Sequence, residues 1–284
     1  MARVAILSPA REDEHFTSRW PDVLAREAAP LRAAGVEVEG RIWTEAADLP
    51  SFDLVLPLLV WGYHRDPALW LEHVRRWEEA GARLLNPPSV LRWNADKSYL
   101  GRLAARGAPV VPTRYVERAD ADELARAAAA FGTARVVAKP VSSAGAWRTI
   151  RWPGDAAEDG PPAAAMIQPY LPSIESAGEV SMLFFGGRFS HAIVKRPQPG
   201  DYRVQPEYDG IITAHAPDAD EHEAAGKVLA AIGEELLYAR VDLVRGLSGR
   251  PELIEVELIE PDLYLGFDAG GGAVYGEALL AALR

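Results

Sequence analysis

Hydrophobic and polar positions in the first third of the chain alternate between short strand-like runs and longer helix-like runs. The strand-like runs lie at 4–7, 36–42 and 54–59. The helix-like runs lie at 20–34 and 68–80, and each is followed by a glycine, Gly35 or Gly81, as is typical of helix ends. The run at 54–59 is continuously apolar, which is typical of a strand buried on both faces. This β-α-β-α order predicts a small parallel sheet flanked by helices.

The pattern changes after Asn86-Pro87-Pro88, where helix-like and strand-like runs no longer follow a β-α-β rhythm. The predicted helices of this part lie at 95–106 and 120–131. The predicted strands lie at 115–116, 135–139 and 166–168, and residues 154–165 predict a loose surface connection because they are rich in Gly, Pro, Ala and acids.

From Gly178 onward the pattern predicts antiparallel strands. Two strands at 179–185 and 188–195 flank Gly186-Gly187 and predict a hairpin. A helix at 220–236 and a second hairpin, with strands at 240–244 and 252–258, follow. The predicted fold class is therefore α/β for the first part and α+β for the rest, in three units: 1–88, 89–168 and 169–284.

Composition narrows the possible functions. Hydrophobic residues make up 49% and charged residues 25% of the 284 positions, as in a folded globular protein. A net charge of -11 argues against a duplex nucleic-acid partner, because phosphate contacts need a basic face. The chain has no cysteine, so it has no thiolate nucleophile. No run of about 18 apolar residues predicts a membrane span, and a cytoplasmic location is the expectation.

Carboxylates in the second predicted hairpin are candidates for a metal site. Because strand side chains alternate between faces, Asp242 shares one face with Arg240, and Glu255 shares one with Glu257. Three carboxylates on one side of a two-stranded ribbon repel one another unless cations lie among them, and oxygen ligands suit Mg²⁺. The alternative is a solvated acidic face on an exposed hairpin.

Lysines at strand and helix ends are candidates for phosphate contacts. Lys139 ends the run 135–139 and precedes the small-residue loop 142–146, where exposed backbone N–H groups can approach a polyphosphate. The loop is not a Walker A sequence. Lys195 ends another strand, and Lys97 lies near a predicted helix start. The alternatives are ordinary strand-end and helix-surface lysines.

The order of these features along the chain resembles that of the ATP-grasp superfamily, which includes D-alanine–D-alanine ligase, glutathione synthetase and the ribosomal-protein glutamate ligases. The similar segments follow one another as Lys97, Val137-Ala138-Lys139-Pro140, Gln168-Pro169-Tyr170-Leu171, Gly178-Glu179, Lys195, Gly200-Asp201-Tyr202-Arg203-Val204-Gln205, Arg240-Val241-Asp242 and Glu255-Val256-Glu257. The resemblance covers essentially the whole chain, with its specific motifs between Asn86 and Pro261. It implies an ATP-grasp fold behind an N-terminal Rossmann-like, pre-ATP-grasp α/β domain.

Further motifs resemble one branch of the superfamily, which includes the O-ureido-D-serine cyclo-ligase of D-cycloserine biosynthesis. They are Trp61-Gly62-Tyr63-His64, Leu85-Asn86-Pro87-Pro88, Trp93-Asn94-Ala95-Asp96-Lys97, Gly186-Gly187-Arg188-Phe189-Ser190-His191-Ala192 and Glu255-Val256-Glu257-Leu258-Ile259-Glu260-Pro261. The chain departs from its relatives at two positions. Glu257 stands where many superfamily members have Asn, and Asp209 precedes Gly210 where the branch often has Gly-Gly.

The resemblance implies roles for individual residues toward ATP. Lys97 and Lys139 reach the phosphates, Lys195 is a further phosphate ligand, and Glu179 lies at or near the ribose. The hinge whose backbone pairs with adenine is made of Gln168, Pro169, Tyr170 and Leu171.

The resemblance also implies a metal site and catalytic residues. Asp242, Glu255 and Glu257 are the expected ligands of Mg²⁺, with two ions. Arg203 and Arg240 are expected to stabilise the acyl phosphate and the tetrahedral intermediate that follows.

The function implied is that of an ATP-dependent ligase, which converts a carboxylate into an acyl phosphate and lets an amine-like acceptor capture it. The expected substrates are small and amino-acid-like, joined as two molecules or closed into a ring. Two alternatives remain open: a ligase that modifies a peptide or protein tail, and an ATP-binding regulator without turnover. No nucleic-acid or membrane partner is expected, and a homodimer is expected by analogy.

Overall fold

A computed structural model of the chain describes residues 2–11, 19–143, 147–198 and 210–284. The α-helices in these ranges are α1 (Trp20–Ala33), α2 (Pro67–Glu79), α3 (Pro88–Asn94), α4 (Tyr99–Ala105), α5 (Ala121–Phe131), α6 (Ser173–Ser176), α7 (Ala219–Ile232) and α8 (Ala273–Ala282). The strands are β1 (Arg3–Ser8), β2 (Glu37–Ile42), β3 (Leu54–Leu56), β4 (Arg114–Val116), β5 (Val136–Pro140), β6 (Ile150–Trp152), β7 (Ala165–Pro169), β8 (Glu179–Phe185), β9 (Arg188–Arg196), β10 (Ile211–His215), β11 (Tyr238–Arg245) and β12 (Pro251–Glu257). Short 3-10 helices lie at Leu49–Ser51, Tyr63–Arg65, Ala157–Asp159 and Leu265–Phe267.

The N-terminal sheet has the order β2-β1-β3, and both pairings are parallel. The central strand β1 is buried on both faces from Val4 to Leu7, because helices cover the sheet on each side. In one of these layers, helix α1 packs with the C-terminal helix α8. This contact was not predicted, because the sequence pattern did not predict α8 as a helix. The predicted parallel sheet flanked by helices is confirmed.

The middle sheet has the order β4-β7-β5-β6 and is antiparallel throughout. Helix α5 packs on one face of it through Leu124 and Ala127, which meet Val136 and Ala138. Asp120 caps α5 by accepting the backbone N–H of Glu123 at 2.9 Å, so the helix begins where the sequence predicts it. Strand β6 was not predicted.

The C-terminal sheet has the order β10-β9-β8-β11-β12, with antiparallel neighbours. Its apolar face packs on α7, with Val180, Met182, Val241 and Val256 in the shared core. The predicted hairpin at 240–258 is present as β11 and β12, and β11 also pairs with β8, so the hairpin is part of a larger sheet. The opposite face of β8, β9, β11 and β12 carries the charged side chains described below.

Helices α3 and α4 replace the single predicted helix at 95–106. The chain turns between them at Asp96, whose Oδ1 accepts the N–H of Ser98 at 2.8 Å. The N–H of Lys97 donates to the carbonyl of Val141 at 2.8 Å and not to a helical partner. Helix α7 also ends before the predicted residue 236, because Gly233 at φ 69° terminates it.

The division into units 1–88, 89–168 and 169–284 stays a prediction. Residues of α3 and α4, including Val90, Tyr99 and Leu100, pack into the core of the C-terminal sheet. None of the helices in the described ranges has the length and apolar content that crossing a bilayer requires.

Candidate functional site

One face of the C-terminal sheet gathers a cluster of full charges, here called the charged cluster. Its cations are Lys97, Lys139, Lys195 and Arg240, and its carboxylates are Glu179, Asp242, Glu255 and Glu257. All eight were predicted as site residues, and the structure brings them together from strands β5, β8, β9, β11 and β12 and from the α3–α4 turn. As the cations and anions are equal in number, the cluster is neutral when all of them are ionised.

The strand register places the metal-site candidates side by side. Asp242 is opposite Glu255, and Arg240 is opposite Glu257. The intervening Val241 and Val256 point to the other face and lie in the core. Asp242 is 1% exposed and Arg240 6%, so this is not the solvated acidic face of an exposed hairpin.

Arg240 and Lys195 bind the carboxylates at the centre of the cluster. Arg240 donates from Nε to Asp242 Oδ1 at 3.0 Å and from Nη2 to Asp242 Oδ2 at 2.9 Å, and it also contacts Glu257. Lys195 contacts Glu179 and lies 3.5 Å from Asp242 Oδ2. Buried carboxylates need such partners, because an unpaired charge away from water is strongly destabilising.

Lys97 reaches the cluster from the turn between α3 and α4. Its Nζ lies 2.9 Å from Glu255 Oε1 and donates to the carbonyl of Ser143 at 2.9 Å. The helix-surface alternative for Lys97 is therefore wrong, since its side chain is only 12% exposed and makes a charged contact to a neighbouring strand.

Lys139 is half-buried near the end of β5. Burial and the nearby charge of Lys97 together lower its pKa to about 8, although Glu255 and Glu179 oppose the shift. Lys139 is thus a cation held beside another cation in partly dry surroundings. A polyanion bound there would relieve this unfavourable arrangement.

The carboxyl groups of the cluster have diverging pKa values. Burial alone would raise that of Asp242, but Arg240 and Lys195 outweigh it and hold the pKa at about 2. Burial raises the pKa of Glu257 to about 8, because Arg240 offsets it only in part and Glu255 adds to it. In Glu255 the charges of Lys97 and Lys139 outweigh burial, and the pKa is lowered.

The donor set of Asp242, Glu255 and Glu257 fits Mg²⁺, since it consists only of carboxylate oxygens from adjacent register positions. In the part of the chain that the structure describes, no three acids or histidines are grouped closely enough to hold an ion. Glu255 and Glu257 instead contact Lys97 and Arg240. A bound cation would have to take over these carboxylates from their present partners.

The predicted adenine segment differs from expectation in its backbone. Strand β7 ends at Pro169, which lies opposite Val136. The next N–H, of Tyr170, donates to the carbonyl of Arg135 at 3.0 Å and is not free. The side chain of Gln168 is buried and donates from Nε2 to Thr113 Oγ1 at 2.9 Å. Leu171 is also buried and packs in a small apolar core.

Three predicted features lie outside the described residues. They are the catalytic candidate Arg203, the departure at Asp209 and residues 144–146 of the small-residue loop after Lys139.

Sequence reasoning assigned no role to three buried residues behind the cluster. Asn86 donates from Nδ2 to the carbonyls of Tyr238 and Leu258, both at 2.9 Å. Asn94 and Tyr99 bind the backbone of β12 beside Glu255 and Glu257. Asn86 and Asn94 lie inside motifs that carry the family resemblance and Tyr99 does not, and only the fold shows which backbone groups the three residues meet.

Comparisons with known proteins identify the relatives of this chain. A family model described as "D-cycloserine synthetase DcsG, N-terminal domain" matches residues 5–86. The chain is 32% identical over 276 residues to the cycloserine biosynthesis protein DcsG of Streptomyces lavendulae, a match that covers 89% of this chain and 91% of that protein.

Solved structures show the same architecture. The crystal structure of D-cycloserine synthetase DcsG superposes with a TM-score of 0.82 at 28% sequence identity and covers 100% of both chains. The ATP-grasp ligase PsnB, complexed with a minimal precursor, Mg and ADP, superposes with a TM-score of 0.65 at 18% identity, over 99% of this chain and 97% of that one. The PsnB likeness is one of fold alone.

Proposed function

This chain belongs to the ATP-grasp ligases, ATP-dependent enzymes that form C–N bonds, and from that premise we propose that its charged cluster activates the carboxylate of a small amino-acid-like substrate. The observation that carries the proposal is the composition of the cluster. Four cations and four carboxylates meet over one face of the C-terminal sheet, which Lys97 and Lys139 reach from the α3–α4 turn and from β5, and each carboxylate contacts a cation. The cations can pair with phosphate oxygens of a bound nucleotide, and the carboxylates that they now contact can then hold the metal ion.

The proposed reaction has two steps. In the first, a carboxylate oxygen of the substrate attacks the γ-phosphorus of ATP, an O–P bond forms, and the bond to the β-phosphate oxygen breaks to release ADP. In the second, an amine-like nitrogen attacks the acyl carbon, loses a proton, and expels inorganic phosphate. Activation is needed because an ionised carboxylate has no good leaving group.

Asp242, Glu255 and Glu257 would hold Mg²⁺. When bound, the ion would supply positive charge that stabilises the negative charge developing on the transferred phosphoryl group. Lys97, Lys139 and Lys195 would bind phosphate oxygens, because they are cations that surround the same carboxylates. Arg240 lies between Asp242 and Glu257 and would neutralise charge on the acyl phosphate.

The substrate class comes from similarity to DcsG, whose name connects it with D-cycloserine. Ring closure within one amino-acid-like molecule is therefore the first reaction to test, and joining of two molecules is the second. The two-ion metal site, the adenine contact of residues 168–171 and a homodimer belong to the same proposal.

The test is ADP release with Mg²⁺ and ATP, measured alone and with each member of a panel of D- and L-amino acids and their O-carbamoylated or O-ureido derivatives. Hydroxylamine is added in parallel, because it captures acyl phosphates as coloured iron–hydroxamate complexes. The expected result is ADP release that depends on one class of amino acid and yields an equimolar hydroxamate.

Other outcomes separate the alternatives. Binding of ATP without ADP release under any condition would indicate a regulator. ADP release only with a peptide would indicate a tail-modifying ligase. Glu255→Gln is the matched control, because it keeps the size of the side chain while removing the charge that Lys97 contacts.

A further inference from the structure

The outer edge of β12 is covered by side chains and not by another full strand. In the described sheet, β12 pairs with β11 on one side only. On the other side, Val111 donates its N–H to the carbonyl of Leu253 at 3.0 Å, and Leu253 donates to Pro109 at 2.6 Å. Beyond this single bridge, outward backbone groups of Val256 and of Leu258, directly after β12, have side-chain partners.

Asn94 and Tyr99 supply these partners around Val256. The Tyr99 hydroxyl donates to the Val256 carbonyl at 3.0 Å and accepts the Val256 N–H at 2.9 Å. Asn94 donates from Nδ2 to the same carbonyl at 2.9 Å and accepts the N–H of Leu258 at 2.9 Å. Asn94 is 7% exposed and Tyr99 1%, so water does not readily replace either of them.

Val256 stands between Glu255 and Glu257, two of the proposed metal ligands. We propose that Asn94 and Tyr99 are positioning residues, which hold the backbone of β12 so that Glu255 and Glu257 present their carboxylates together to the metal. The proposal rests on the metal role that the proposed function gives to these two carboxylates. It adds two residues with no direct contact to the metal or the nucleotide.

Two arguments support a role beyond general packing. Lys97, which contacts Glu255, lies between Asn94 and Tyr99, in the turn that joins α3 to α4. One short segment therefore positions both Glu255 and its cation. The Tyr99 hydroxyl remains protonated and able to donate, because burial and the charge of Glu255 raise its pKa well above the ordinary value.

The test is Tyr99→Phe, which keeps the ring and removes the hydroxyl. Val256 N–H then has no partner, and the segment between the two carboxylates is less restrained. We expect the Mg²⁺ concentration for half-maximal ADP formation to rise about tenfold or more, as when groups behind metal ligands are removed. At saturating Mg²⁺, kcat and the KM for ATP should return to within about twofold of wild type, because the ligands themselves are intact.

Two readouts do not depend on turnover. Mn²⁺ binding in the presence of ADP, followed by electron paramagnetic resonance, should weaken by a similar factor. Hydrogen exchange at the Val256 amide should accelerate, while the central strand β11 keeps its protection. Asn94→Ala is the second variant, because it removes different hydrogen bonds to the same strand and should shift both measurements in the same direction.

Tyr275→Phe is the matched control. Tyr275 is 0% exposed, and its hydroxyl has no hydrogen-bond partner among the described residues, so this variant removes a buried hydroxyl without breaking a bond to β12. Its Mg²⁺ dependence should equal that of wild type.

The outcomes distinguish this inference from the proposed function. If Glu255→Gln abolishes Mg²⁺-dependent ADP formation but folded Tyr99→Phe and Asn94→Ala keep the Mg²⁺ requirement of wild type, the positioning role is wrong. A lower kcat that excess Mg²⁺ does not restore would also overturn it, because general structural damage has that signature. If Glu255→Gln itself leaves Mg²⁺ dependence unchanged, the metal assignment in the proposed function fails.

Discussion

Replacing Asn86 by Asp tests the connection between the N-terminal unit and the C-terminal sheet. The Asn86 side chain is 0% exposed. Its Nδ2 donates to Tyr238 O and Leu258 O, both at 2.9 Å, and its Oδ1 accepts from Leu237 N at 2.8 Å and more weakly from Tyr238 N at 3.4 Å. Two carbonyls face one end of the amide and two N–H groups the other, so the network fixes its orientation.

Asn86→Asp keeps the shape of the side chain but replaces the donating nitrogen with oxygen. Both carbonyls then lose their donor and face a carboxylate. Each buried polar group left unpaired costs about 1–3 kcal/mol, so the expected loss is about 2–6 kcal/mol. For a chain of this size, that corresponds to a fall in melting temperature of ~5–20 °C. Because a domain is stable by only about 5–15 kcal/mol, such a loss is a large fraction of the total.

The loss should also depend on pH. A carboxyl group buried against carbonyls has a folded-state pKa above its unfolded value, so stability falls as pH rises above about 4. Near pH 5 part of the population regains a donor by protonation, and the deficit relative to wild type should be smaller than at pH 8.

The assay is thermal unfolding followed by circular dichroism at pH 5 and pH 8. Glu235→Gln, an exposed exchange between the same two functional groups, is the control and should change stability by less than about 0.5 kcal/mol. The reasoning is refuted if Asn86→Asp melts within about 2 °C of wild type at both pH values. These four contacts would then not connect the N-terminal unit to the C-terminal sheet.

Three further predictions concern individual charged groups. Glu255→Gln should abolish Mg²⁺-dependent ADP formation and leave the melting temperature nearly unchanged, because Glu255 is placed for a metal and not for core packing; near-normal turnover would remove it from the metal site. Lys139→Ala should weaken binding of an ATP analogue about tenfold or more at pH 7 in calorimetric titrations, since a charge-assisted contact is worth roughly 1.5–3 kcal/mol. In wild type the same affinity should fall between pH 7 and pH 9, because Lys139 has a pKa of about 8 and loses its proton in that window; a fall of equal size in Lys139→Ala would contradict the assignment. Glu27→Gln should raise the melting temperature, and more so at pH 8 than at pH 5. Glu27 is 2% exposed, and burial raises its pKa well above the ordinary value. The folded protein therefore loses stability as pH rises above the pKa that this carboxyl has in the unfolded chain. A stability gain independent of pH would show that the ionisation of Glu27 is irrelevant.

The hairpin face was predictable from alternation alone. Period-two spacing puts Arg240 with Asp242 and Glu255 with Glu257, and the register confirms that they are opposite one another. Alternation does not reveal which further strand pairs with the hairpin. The pairing of β11 with β8 joins residues about 60 positions apart, and no local signal specifies it.

The surroundings of Lys97 were not predictable for a related reason. Helical periodicity continues through 95–106, but Asp96 forms a turn and the Lys97 N–H bonds to Val141, 44 residues further along the chain. The hydrogen bonds of Asn94 and Tyr99 were not predictable for the same reason, because their partners on β12 are more than 150 residues away. A local pattern identifies a buried polar residue but not the backbone group that it binds.

The adenine segment shows a different limit. The backbone of residues 168–171 was expected to pair with adenine, yet the N–H of Tyr170, directly after the last residue of β7, already donates to the carbonyl of Arg135. Location in the cell, subunit number and the number of metal ions depend on properties that neither the pattern nor the fold of one chain specifies, and they stay predictions.

The most direct test of carboxylate activation follows the oxygen atoms of the substrate. An amino-acid-like substrate that supports ADP release is labelled with ¹⁸O in its carboxylate, and the inorganic phosphate is analysed by mass spectrometry after turnover. If the charged cluster forms an acyl phosphate, one labelled oxygen per turnover will be found in the phosphate. Phosphate that forms together with ADP but carries no ¹⁸O would contradict carboxylate activation at this site.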